Sequence, residues 1–125
     1  MKSVGIGLLG FGTIGAGVVK ALQKNRVLIE QRTGLSLELK RIADLDLERD
    51  RGVVLPEGVL IRDAEAVVWD PAVDIVVELI GGTVSARQMI SAALRLGKPV
   101  VTANKALLAE HGSEIFGLAE ERNTD

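Results

Sequence analysis

The apolar positions fall into short blocks whose period switches between strand-like and helix-like along the chain. Residues 4–9 run apolar, with β-branched residues among the first of them, and stop at Gly10, so they predict a buried strand. From residue 14 to residue 29, Ile14, Val18, Val19, Leu22 and Ile29 recur at helical intervals while Lys20, Gln23, Lys24 and Arg26 fill the other face. This predicts one amphipathic helix laid on a sheet. Thr33-Gly34 breaks the pattern, and Leu37, Leu39 and Ile42 then alternate around Glu38, Lys40 and Arg41, a second strand over 35–43 that ends at Asp44. Residues 44–51 are charge-dense, Pro56-Glu57-Gly58 is a turn, and residues 59–61 read as a short strand.

Asp63 is placed to cap a short helix through Val67 and Val68, which Asp70-Pro71 ends because the residue before a proline is disfavoured in the α region. Residues 74–80 are too apolar for an exposed sheet face and predict a central, parallel strand. Gly81-Gly82-Thr83 then turns the chain into a helix over about 85–96, with Gly97 as its C-terminal stop. A strand over 99–102 and a helix from about 104 to 121 follow, with a polar, frayed tail. Strands alternating with helices at this spacing imply parallel βαβ units with helices on both faces. The expected fold is therefore α/β: a doubly wound, mostly parallel sheet of the Rossmann type, forming one domain over residues 1–125. Ligands in such sheets bind at the carboxyl ends of the strands, which here means the loops at 10–15, 44–51, 80–85 and 102–105.

Composition narrows the chemistry. Fifteen Lys and Arg against 17 Asp and Glu give a net charge of −2, and the aromatics are only Phe11, Trp69 and Phe116. There is neither a basic field nor a stacking platform for nucleic acid. The absence of cysteine excludes thiol catalysis, disulfides and Cys-ligated metal, and the single histidine, His111, leaves little material for a His-based metal site or triad. The apolar run after Met1 is too short to span a membrane, so the expectation is a cytoplasmic protein with no membrane or nucleic-acid partner. His111 reads as a surface residue and Trp69 as a packing residue.

Glycine stands out instead: of 14, six lie between Gly5 and Gly17. Gly10-Phe11-Gly12-Thr13-Ile14-Gly15 is a G-x-G-x-x-G between an expected strand and an expected helix, the context that separates a dinucleotide fingerprint from a plain glycine turn. Gly10 would permit the tight turn, Gly12 the approach of a pyrophosphate, and Gly15 close packing of helix on strand, with the Thr13 and Ile14 amides facing the anion. Asp44 stands at the tip of the second strand, where an acid accepts hydrogen bonds from the adenosine ribose. Its distance from the glycines is longer than usual, Asp46 and Glu48 are rivals, and a solvated acidic loop is the plain alternative. Arg41, Arg49 and Arg51 are near enough to meet a 2′-phosphate, so the acid favours NAD while the arginines leave NADP open. Gly81 and Gly82 read either as bare backbone against the nicotinamide side or as a simple turn capped by Thr83 or Ser85. Lys105 lies just past a strand end on the ligand side of the sheet. A lysine there can exchange a proton with a substrate oxygen, though most lysines are only solvated.

Taken in order, Gly10 to Gly15, then Asp74-Ile75-Val76-Val77-Glu78-Leu79-Ile80-Gly81-Gly82-Thr83, then Gly97-Lys98-Pro99-Val100-Val101-Thr102-Ala103-Asn104-Lys105, the chain closely resembles the N-terminal nucleotide-binding domain of homoserine dehydrogenases over nearly its whole length. The resemblance implies interconversion of L-homoserine and L-aspartate 4-semialdehyde with NAD or NADP, in the biosynthesis of threonine, methionine and isoleucine. It also implies that Lys105 assists proton transfer at the hydroxyl oxygen. Gly81, Thr83 and Ala103 would line the nicotinamide end, and Phe11, Thr13 and Ile14 the pyrophosphate. Many members have proline where this chain has Ser85, which either residue tolerates at a helix start. The family's substrate domain, which holds the amino acid and most of a homodimer interface, is expected to be absent from these 125 residues, leaving the chain by itself with little or no turnover. Two other readings remain: a stand-alone, non-catalytic nucleotide sensor, and the cofactor half of a related reductase.

Overall fold

The computed structural model describes residues 2–80 and 83–124. Five strands form one sheet: β1 (Lys2–Leu9), β2 (Leu35–Ala43), β3 (Leu60–Ile61), β4 (Ile75–Glu78) and β5 (Val100–Thr102). All pairings are parallel, and the order is β3-β2-β1-β4-β5. This is the order of the doubly wound dinucleotide-binding sheet through its fifth strand. β1 has a partner on each side and supplies Leu8 and Leu9 to opposite faces. Leu8 packs with Phe11, Ala16, Val19, Ile42 and Val59, under helix α1 (Thr13–Lys24), and Leu9 packs with Val67, Val68, Val76, Met89 and Ala93, under α3 (Ala64–Trp69) and α4 (Val84–Arg95). The two-residue alternation of a strand thus feeds two cores at once. The last helix, α5 (Lys105–Glu121), packs on α4 through Leu107 and Ile115 against Ala86, Ile90 and Leu94.

The capping expectations hold at two places. Asp63 accepts from the Glu65 and Ala66 amides at the head of α3. α4 ends with Gly97 at φ +75°, its amide on the Leu94 carbonyl and the Lys98 amide on Ala93, which is a Schellman closure.

Elsewhere the structure corrects the pattern. The continuous helix expected over 14–29 is two helices, α1 and α2 (Arg26–Thr33), separated at Asn25, whose backbone leaves the helical conformation (φ −101°, ψ 13°) and whose side-chain amide donates to the Ala21 carbonyl. Ile14 is not on the buried stripe: it is 68% exposed, since Gly15 and Ala16 take the inner face of the first turn. Trp69, 60% exposed, is not a packing residue, as Val67 and Val68 fill the core side of a helix only six residues long. His111 is half-buried rather than on the surface, within 4 Å of Glu110 and Glu114 at a break in the helical backbone of α5. The tail is not frayed through Thr124: Asn123 takes a positive φ, and the Asn123 and Thr124 amides close on Glu120 and Ala119.

Candidate cofactor site

The carboxyl ends of β1, β2, β4 and β5 converge on one edge of the sheet, and the loops at 10–15, 44–51 and 102–105 open there. At the centre is the glycine turn. Gly10 has φ +100°, and a Cβ on it would meet the Leu79 carbonyl at 2.9 Å; one on Gly15 would meet the Gly10 carbonyl oxygen at 2.4 Å. Both positions exclude side chains for steric reasons. Gly12 differs, because a Cβ there would have no atom within 4 Å. Gly12 leads into α1, whose first turn has no side-chain cap and no acidic residue, whereas α3 and α5 are capped by Asp63 and Asn104. An uncapped amino end carries amides and a positive dipole end available to an anion.

Asp44 follows β2 and sits against this turn. Its Oδ2 accepts from the Phe11 amide at 2.8 Å, its Oδ1 accepts from the Asp46 amide at 2.9 Å and lies 3.4 Å from the Arg51 guanidinium. Arg51 was not expected in this role. Its side chain is only 4% exposed, its Nε and other nitrogens donate to the carbonyls of Phe11, Asp46 and Arg49, and its guanidinium lies 4.5 Å over the Phe11 ring. Of the other arginines named for a 2′-phosphate, Arg41 pairs with Asp70 and Arg49 contributes its carbonyl to Arg51. The Phe11 ring is buried in the core, so only its backbone reaches the turn, and both of its backbone groups are engaged. Asp46 accepts from the Glu48 and Arg49 amides, which hold its carboxyl below the ordinary aspartate value.

Two cavities flank the turn. One, of about 370 Å³, is lined by Gly10, Gly12, Asp44, Leu45, Arg62 and Ile80, among others. The other, of about 260 Å³, is lined by Ile14, Glu78, Leu79, Ile80, Ala103, Asn104 and Lys105. Leu79 and Ile80 wall both. Lys105 is the first residue of α5, with its amide on the Ala103 carbonyl, and its position follows from Asn104, whose side chain caps the helix at Leu107. Thr83 precedes α4 without a side-chain cap, and Ser85 falls inside the first turn, so neither caps this helix. Thr83 lines neither of these cavities but a third, between α4 and α5. The Gly81 and Gly82 readings lie outside the described residues. Arg62 and Glu78 escaped the sequence reading: Arg62 directly follows a two-residue strand with no periodicity to mark it, and Glu78 sits inside an apolar run. Among the described residues, no group of three or more acidic or histidine side chains could hold a metal ion, and no helix is long and apolar enough to cross a membrane.

Comparison with known proteins gives this geometry a lineage. The family model described as homoserine dehydrogenase, NAD binding domain, matches residues 10–125. The chain belongs to that family. It is 43% identical over 125 residues to the homoserine dehydrogenase of Bacillus subtilis (strain 168), covering 100% of this chain and 29% of the relative, and 46% identical over 124 residues to that of Corynebacterium glutamicum, covering 99% and 28%. The crystal structure of a homoserine dehydrogenase from Thiobacillus denitrificans superposes with a TM-score of 0.90 at 42% identity, covering 99% of this chain and 28% of that one. The chain thus spans less than a third of the length of these relatives. The α/β, Rossmann-type fold expected from the sequence is the fold found, and the family is the one the motifs resembled.

Proposed function

We propose that the chain binds NAD or NADP along the carboxyl edge of its sheet and serves as the cofactor-binding part of an oxidoreductase that interconverts L-homoserine and L-aspartate 4-semialdehyde. One observation carries this reading: the open space at Gly12 and the Lys105 side of the sheet are two cavities with a common wall, Leu79 and Ile80. A dinucleotide whose pyrophosphate rests on the uncapped end of α1 would extend one way toward Asp44, Leu45 and Arg62 and the other way toward Ala103 and Lys105. The residues present fit such a cofactor, since the turn leaves both the room and the unengaged helix end that a pyrophosphate requires.

Gly12, Thr13 and Ile14 would hold the pyrophosphate, and Asp44 and Arg51 would shape the adenosine ribose end. Ala103 would border the nicotinamide, whereas Thr83, on the cavity between α4 and α5, lies away from this course. When bound, the nicotinamide supplies or takes up the hydride at the carbon of the substrate's aldehyde or alcohol. Lys105, exposed at the rim of the second cavity, would take the proton from the homoserine hydroxyl during oxidation and return it to the carbonyl oxygen during reduction. The family relationship supports an amino-acid substrate, a homodimeric full-length enzyme and a cytoplasmic location. The test is titration of the chain with NADH and NADPH, paired with assays of homoserine oxidation by the full-length protein. Saturable cofactor binding and homoserine-dependent reduction of NAD or NADP are expected, and absence of both would overturn the reading.

A further inference from the structure

Glu78 is a carboxylic acid with no solvent exposure at the end of an internal strand, where an apolar residue would serve the sheet better. Burying it is costly unless both oxygens are bonded. They are: Oε2 accepts from the Ile80 amide at 2.7 Å, and Oε1 from the Thr102 hydroxyl at 2.7 Å. Thr102 lies opposite Glu78 in the β4–β5 pairing. Its oxygen also accepts from the Asn104 amide at 3.0 Å, which commits the hydroxyl proton to Glu78. Asn104 in turn accepts from the Leu107 amide at 3.0 Å and caps the helix that begins with Lys105. Among the described residues no cation lies within 4 Å of the Glu78 carboxylate. Both Glu78 and Lys105 border the same cavity.

We infer that Glu78 is a positioning residue for Lys105, acting through the hydroxyl of Thr102 and the cap of Asn104 to fix the amino end of α5 against the cofactor edge of the sheet. This rests on the role assigned to Lys105 above. The turn at 102–105 has only one residue, Ala103, between the end of β5 and the cap of α5. Its direction is set by these hydrogen bonds together with the packing of Leu107 on α4. Misplacing a catalytic group by about 1 Å can cost up to about a hundredfold in rate, so the two hydrogen bonds that run from Glu78 through Thr102 to Asn104, the residue before Lys105, have leverage on turnover.

The decisive pair is Thr102→Val, which keeps the branched shape and removes the hydroxyl, and Thr102→Ser, which restores it; Glu78→Gln probes the other end. In the full-length protein, Thr102→Val and Glu78→Gln should lower kcat for homoserine oxidation by about ten- to a hundredfold. The KM for the nicotinamide cofactor should stay within about twofold, and Thr102→Ser should recover most of kcat. A Thr102→Val enzyme with unchanged kcat, or a loss shared equally by cofactor KM and not rescued by Thr102→Ser, would overturn the inference. Should the wild-type protein fail to oxidise homoserine, the functional reading falls instead. The inference is then decided in the 125-residue chain by NMR of the amino end of α5, read as hydrogen exchange at the Leu107 amide that Asn104 caps. Exchange that is faster in Thr102→Val and returns to the wild-type rate in Thr102→Ser supports it, and equal rates in all three refute it.

Discussion

The three glycines of the turn share a residue type and differ in what they exclude. Gly10 and Gly15 are confined by carbonyl groups, which would stand 2.9 and 2.4 Å from a Cβ at either position, whereas Gly12 faces open space at φ −77°, a value any residue adopts. Substitution therefore separates folding from binding. Gly15→Val should destabilise the chain by about 1–3 kcal/mol or more, because backbone cannot move aside as a flexible side chain would. Gly12→Val should melt within a few degrees of wild type and weaken NADH by at least about tenfold, its side chain standing where the pyrophosphate is proposed to lie. Thermal melts with NADH titrations check both. The steric roles of Gly10 and Gly15 were legible in the sequence because they are local. The partner of Asp44 was not, because Arg51 lies in a stretch whose only local signal is charge and whose geometry comes from hydrogen bonds to carbonyls.

At the scale of elements, the segment after β2 carries most of what the pattern left open. It has no regular structure from Asp44 to Gly58, yet it is tied down at its middle: Arg51 reaches the Phe11, Asp46 and Arg49 carbonyls and the Asp44 carboxylate. Hydrogen bonds to a charged donor contribute about 1.5–3 kcal/mol each when the alternative is a stranded partner. Arg51→Ala, which removes three such bonds, should therefore cost at least about 2 kcal/mol of stability by chemical denaturation and weaken both cofactors together. Asp44→Ala should weaken NAD more than NADP; unchanged affinity for NAD would remove Asp44 from the ribose site. Acid should loosen the same segment. The Asp46 carboxyl is held below its ordinary value by the Glu48 and Arg49 amides, so its contribution is complete above about pH 4 and is lost as pH falls through its folded value. Hydrogen exchange at the Glu48 and Arg49 amides, corrected for intrinsic rates, should show protection declining below about pH 4 while that of β1 persists. The βαβ alternation was readable because parallel strands buried on both faces are near-continuous apolar runs. The break at Asn25 was not, because an asparagine that bonds back to its own helix leaves the apolar spacing on either side intact.

At the scale of the whole chain, the proposed cofactor course follows two cavities with a common wall, Leu79 and Ile80, but the cavity beside Lys105 has little with which to hold an amino acid. Its described lining contains one cation, Lys105, and one carboxylate, Glu78, whose oxygens are already bonded to Ile80 and Thr102. An amino-acid substrate brings both an ammonium and a carboxylate group, and the ammonium would find no unengaged acid there. Orientation of bound reactants supplies up to about 7–11 kcal/mol of a barrier in favourable cases, and a chain that binds one reactant without fixing the other forgoes most of that. The 125-residue chain should accordingly show saturable quenching or enhancement of NADPH fluorescence, and homoserine should leave that titration curve unchanged. Homoserine oxidation by the chain alone should be at least about a thousandfold below that of a full-length relative under the same conditions. Turnover approaching the relative's would mean that this cavity orients the amino acid by itself, and that the bonds placed on Glu78 give way when substrate enters.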